Sequence, residues 1–151
     1  MIALNAIIND EFPKVKVLKA LDGATGIQLA QSHNVDLILL DILMPDLDGF
    51  EVCEILKENE ITNDIPIVFV TALKENRENK IKALQVGAEG FLTKPIDETE
   101  LIAQVNAMLK IKAANDFKLD ENKRLEKLVQ ERIKEIKINE EIIRESEIKF
   151  R

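Results

Sequence analysis

Residues 36–49 read DLILLDILMPDLDG, and this stretch decides how the rest of the chain is read. Leu37, Ile38, Leu39 and Leu40 run without polar alternation, the pattern of a strand buried on both faces of a parallel sheet. In open α/β sheets, ligands and chemistry collect beyond the carboxyl ends of such strands. The run delivers one carboxylate to that place, Asp41. Met44-Pro45 and Asp48-Gly49 then mark a turn. Alone, an aspartate at a strand end reads first as the cap of a loop.

Two further strand ends change that reading. Ile65-Pro66-Ile67-Val68-Phe69-Val70 repeats the buried-strand pattern and ends in Thr71-Ala72. Glu89-Gly90-Phe91-Leu92 is a third strand, ending in Thr93-Lys94-Pro95. Helical patterns separate the three, so they run parallel and their polar tips share one sheet edge. A carboxylate, a hydroxyl and an ammonium meeting there suit phosphoryl transfer to an aspartate. Asp41 would be the nucleophile, and Thr71 and Lys94 would hold the phosphoryl oxygens and offset their charge.

The remaining elements follow from periodicity. Residues 2–11 read as a helix. Residues 14–21 (KVKVLKAL) alternate like a half-exposed strand, and Asp22-Gly23 turns into a helix over residues 24–33. Residues 50–57 are helical with Phe50, Cys53 and Leu56 on one face. Residues 74–86 form a polar helix stopped by Gly87. Residues 98–112 form a helix with Leu101, Val105, Met108 and Leu109 facing inward. The alternation predicts a doubly wound, flavodoxin-like α/β domain over residues 1–112.

DLILLDILMPDLDG, PIVFVTA and GAEGFLTKP, in this order and spacing, resemble the receiver domain of two-component response regulators over about residues 1–112. The resemblance implies that Asp41 is the phosphoacceptor, Thr71 the switch hydroxyl and Lys94 the phosphate-contacting lysine. It puts Phe91 at the family's rotating aromatic, and Pro95 after a peptide bond that is often cis. It also implies a histidine kinase or phosphotransfer protein as partner, and a signalling module rather than a kinase. Receivers begin with an apolar strand ending in two adjacent acidic residues that help bind magnesium. Here Met1 opens IALNAIINDEFP, which reads as the helix after that strand. Asp10-Glu11 is an acidic pair, but it follows a helical pattern and reads as a solvated helix end.

The family arrangement would then leave Mg2+ only Asp41 and the backbone carbonyl of Leu43, and weak phosphorylation is expected. In the receiver order the absent strand would be central, lying between residues 14–21 and 36–40. Its loss would expose two strand edges, with low stability, a swapped partner strand or an upstream start as the expected consequences. The alternative function is a phosphorylation-independent pseudo-receiver acting as a dimerisation scaffold, or an amino-terminal fragment of a hybrid sensor histidine kinase.

Charge excludes other classes. The chain of 151 residues carries a net charge of −7, and all of it falls on residues 1–112, with 18 acidic and 11 basic groups. Residues 113–151 hold 10 of each sign. No basic block or recognition helix suggests nucleic acid. Neither a signal peptide nor a run of 18 apolar residues suggests membrane insertion. The single Cys53 fits a reducing, cytoplasmic setting. His33, the only histidine, lacks the neighbours of a phosphodonor site and reads as a helix-end residue.

Every Gly and Pro precedes residue 96. Residues 113–151 are rich in Glu, Lys, Arg and Ile, and predict a helical coiled-coil linker. Leu125, Leu128, Val129, Ile133, Ile136, Ile143 and Phe150 fall in one stripe. Glu140 with Arg144, and Glu145 with Lys149, are spaced to pair on the exposed face. Arg132 and Asn139 interrupt the seam. The reading is a parallel homodimer and signal-carrying linker, with contacts from about Leu101 to Ile143. The final EIIRESEIKFR resembles the lead-in helix of PAS sensor domains in hybrid kinases.

Overall fold

The computed structural model describes residues 2–149 apart from Glu75. Its sheet is parallel, with β1 (Ile38–Leu40), β2 (Ile67–Thr71) and β3 (Gly90–Thr93) in the order β1-β2-β3. The register pairs Leu40 with Phe69, and Thr71 with Thr93. All five residues of β2 are buried, as a central strand requires. Helices join and cover the strands: α1 (Ile2–Glu11), α2 (Gly23–Ser32), α3 (Gly49–Glu58), α4 (Arg77–Gln85) and α5 (Glu98–Lys149). This is the expected doubly wound fold with a long carboxy-terminal helix.

Side-chain alternation along β2 divides the core into two layers. Ile67 and Phe69 pack with Phe50, Val52, Cys53 and Leu56 of α3, together with Ala30 of α2. Val68 and Val70 face Leu101, Val105 and Met108 of α5, with Leu4 and Ile7 of α1 packed against that layer. Burying each such Leu, Ile or Phe contributes about 1.5–3 kcal/mol. The expected inward face of residues 98–112 is therefore real. It also corrects the expected dimer seam, because Leu101 is fully buried within the sheet layer and is not available to a second chain.

The strand expected at residues 14–21 is not formed. Those residues have no regular structure, and Leu18 and Leu21 are exposed. A strand exists only through a ladder partner, and among the described residues β1 pairs with β2 alone. Alternating apolar residues without a partner do not make a strand. The helix expected from Lys74 begins at Arg77, because the Asn76 side chain accepts the Asn79 N–H and caps it there.

The residues up to Ala113 form one unit and those from Ala114 another. In the second unit, Leu125, Leu128, Val129, Ile133, Ile136 and Ile143 are all exposed. Phe150, the last of the expected stripe, and Arg151 lie outside the described residues, as does the Lys149 side chain of the expected Glu145–Lys149 pair. Glu140 and Arg144 form no ion pair; the described pairs here are Arg124 with Glu121 and Arg132 with Glu135, each three residues apart. No described helix is long and apolar enough to cross a membrane.

Candidate functional site

The site is built from the carboxyl ends of all three strands. Asp41 immediately follows β1, and the chain must turn sharply to start α3. Gly49 makes that turn. A Cβ there would lie 2.6 Å from Ile42 Cα and collide with the Asp41 carbonyl, so only glycine fits. The Gly49 N–H donates to the Ile42 carbonyl at 3.0 Å. Asp48 caps α3 by accepting the Glu51 N–H, and Glu51 accepts the Asp48 N–H in return, each at 2.9 Å. These two carboxylates are occupied in fixing the loop. The Asp-x-x-Glu spacing carried this capping signal in the sequence.

Asp41 is held at both oxygens. Oδ1 accepts the Leu43 N–H at 3.1 Å, and Oδ2 lies 3.2 Å from Lys94 Nζ. Both side chains are a little over one-third exposed, so the pair is open to an incoming group. Lys94 is set by backbone geometry. Its N–H donates to the Thr71 carbonyl at 2.8 Å, and the Lys94-Pro95 bond is cis.

Thr71 completes the edge. It is fully buried and its Oγ1 accepts the Leu73 N–H at 3.2 Å. Thr93, level with it in the ladder, was not singled out by sequence; its buried Oγ1 has no described partner. Phe91 is half-buried and packs edge-on against Phe69 with ring centroids 6.3 Å apart. Phe69 meets Phe50 in the same way at 5.2 Å, and Lys82 Nζ lies 4.4 Å over the Phe50 ring. An aromatic row thus joins the expected switch residue to α3 and α4.

The donor set is thin for a divalent ion. Mg2+ demands near-octahedral oxygen ligation. No group of three or more His, Cys, Asp or Glu that could hold a metal occurs among the described residues. Asp10 and Glu11 are exposed within α1. The residues present therefore supply Asp41 and the Leu43 carbonyl as candidate ligands, too few to build a magnesium site by themselves.

Comparison with known proteins fits this geometry. The family model described as response regulator receiver domain matches residues 1–106. The chain is 42% identical over 113 residues to response regulator PleD of Caulobacter vibrioides (strain NA1000 / CB15N), a match covering 75% of this chain and 24% of PleD. It spans less than half the length of the relatives matched first. Among solved structures, the receiver domain of Francisella response regulator 1452 superposes with a TM-score of 0.62 at 34% identity, covering 72% of this chain and 88% of that one. The receiver domain of sensor histidine kinase PA1611 from Pseudomonas aeruginosa PAO1, described with a magnesium ion coordinated in its active site cleft, gives 0.62 at 27%, covering 72% and 87%. Three parallel strand ends that set an aspartate, a buried threonine and a lysine on one edge, within a segment matched over residues 1–106, place this chain in the response regulator receiver domain family.

Proposed function

We propose that this chain accepts a phosphoryl group on Asp41 from a histidine kinase or phosphotransfer protein, and relays the change through a carboxy-terminal helix that pairs with a second copy. The observation that carries the reading is the approach of Lys94 Nζ to Asp41 Oδ2 at 3.2 Å. An Asp41 oxygen attacks phosphorus, and the new P–O bond forms as the P–N bond to the donor histidine breaks. The imidazole leaves with the electron pair. Lys94 offsets charge on the phosphoryl oxygens. Thr71, whose Oγ1 already accepts from Leu73, can donate its hydroxyl proton to one of those oxygens. Phe91 turns with Thr71 as the switch.

A magnesium ion, when bound, would neutralise phosphoryl charge, with Asp41 and the Leu43 carbonyl as its protein ligands. The thin donor set favours a second reading, a pseudo-receiver that assembles without phosphorylation. The cytoplasm is the expected location.

Intact-mass measurement after incubation with acetyl phosphate and magnesium separates the readings. A covalent phosphoryl adduct that disappears in Asp41→Asn supports the first. Absence of an adduct, with unchanged assembly in Asp41→Asn, leaves the second. An adduct mapped to Asp46 or Asp48 removes Asp41 from the role.

A further inference from the structure

The described residues of the second unit display an apolar pattern that selects its own occupant. Val129, Ile136 and Ile143 recur every seven residues, and all three are exposed, at 55%, 46% and 60%. A seven-residue recurrence on a helix is a seam for another helix, because at 3.6 residues per turn it keeps one narrow stripe in line. With these three at the first core position of each heptad, the second core position falls at Leu125, Arg132, Asn139 and Ser146. From Val129 onward the first core position is β-branched, with Asn122 one heptad earlier, and the second is polar everywhere except Leu125.

That division discriminates between orientations. In an antiparallel pair, first-position residues of one helix pack against second-position residues of the other. Leu125 is the only apolar residue available there, so at least two of Val129, Ile136 and Ile143 would meet Arg132, Asn139 or Ser146. In a parallel, in-register pair every layer meets itself. Leu125, Val129, Ile136 and Ile143 form apolar layers. Asn139 and Ser146 each meet their own kind as polar layers that cost stability and favour one register, and Arg132 meets Arg132 as a like-charged layer that weakens the seam. β-branched residues at the first position also favour two strands in parallel.

The flanks agree at one place and resist at another. Leu128 and Ile133 fall at flanking positions that meet across a parallel pair and widen the apolar contact; both are exposed in the single helix. Glu135 and Glu140 also meet there and repel. Arg132 Nη1 already lies 2.9 Å from Glu135 Oε2, so one of those carboxylates brings its own counter-charge. The chain's excess charge lies before residue 113, and residues 113–151 are balanced at 10 acidic and 10 basic groups, so two copies of this segment meet without net repulsion.

We infer that the occupant of this face is the same face of a second copy, parallel and in register, with Asn139 as the self-matching polar layer that sets the register and Arg132 turned outward to its own Glu135. The inference rests on the paired helix proposed above and adds its register and the residues that meet in each layer.

Disulfide trapping of the full chain tests it. Ile136→Cys and Asn139→Cys should each form a symmetric disulfide under mild oxidation at tens of micromolar. Lys134→Cys, on the outer side of the helix, should not, and neither should the buried native Cys53. When Val129→Cys and Asn139→Cys proteins are mixed, homodimers should dominate. Predominance of the Val129–Asn139 heterodisulfide, with little self-linking of Ile136→Cys, would overturn the orientation while leaving the pairing intact. Sedimentation of the unmodified chain as a monomer at that concentration would overturn both.

Discussion

Lys94 Nζ reaches Asp41 Oδ2 at 3.2 Å across 53 positions of sequence, and both side chains stay more than one-third exposed. A pair that open to solvent contributes little to stability, because water screens it and two mobile side chains must be fixed to make it. The approach therefore adds little to the fold, and its proposed role is in chemistry at Asp41. Lys94→Met should lower the thermal midpoint by no more than a few degrees. The same variant should lose most of any Asp41-dependent phosphoryl adduct, read by intact mass. A large stability loss with an unchanged adduct would reverse this assignment.

The two threonines level with each other at the sheet edge should respond oppositely to the same change. The Thr71 hydroxyl accepts the Leu73 N–H, whereas the Thr93 hydroxyl is buried without a described partner. Valine keeps the shape and removes the oxygen in both. Thr71→Val strands a part-buried N–H and should cost about 1 kcal/mol, while Thr93→Val removes an unmatched hydroxyl and should be neutral or stabilising by up to about 1 kcal/mol. Urea midpoints of the two variants decide it; a loss at Thr93 equal to that at Thr71 would mean that its hydroxyl has a partner.

At the opposite end of the strands, Glu89 forms a polar clamp. Its carboxylate lies 2.6 Å from Lys57 Nζ and accepts the Ile67 N–H at 2.7 Å. Lys57 Nζ also donates to the Ile65 carbonyl at 2.9 Å. Removing one partner leaves a largely buried ammonium without its counter-charge, which costs more than the intact pair contributes. Glu89→Ala should destabilise by about 2–4 kcal/mol. Adding Lys57→Met should restore part of that loss. Additive losses in the double-mutant cycle would show that the two groups act independently.

These contrasts separate what the sequence displays from what it hides. β1, β2 and β3 are legible because strands buried on both faces must be apolar throughout. Their parallel order then brings Asp41, Thr71 and Lys94 to one edge without further information. The 14–21 segment misleads because alternation reports a half-exposed surface and says nothing about whether a partner strand is present. The Lys57–Glu89 clamp leaves no local signal, since its members come from α3, the loop before β2 and the turn before β3. The register proposed for the 113–151 helix rests on the seven-residue recurrence of Val129, Ile136 and Ile143, separated from the wider apolar stripe. The mixed identity of the intervening positions obscures it at first reading.

Cys53 offers the last test, because it reports on the core layer beneath the site. It is fully buried and its Sγ donates to the Val86 carbonyl at 3.4 Å. Burial pushes its thiol up to about 11 from an ordinary 9.0, with Lys57 opposing and Glu89 and Glu54 adding to the rise. A raised value in the folded state means that the thiol stays protonated there while the unfolded chain ionises. Its contribution is complete below pH 9 and is lost as pH rises through about 11. Stability should therefore fall by about 1–2 kcal/mol between pH 8.5 and 10.5, and Cys53→Ala should flatten that slope. At pH 8, a thiol reagent should modify native Cys53 at least about 100-fold more slowly than the urea-unfolded chain. Fast modification of the native protein would show that the layer between α3 and the sheet opens readily.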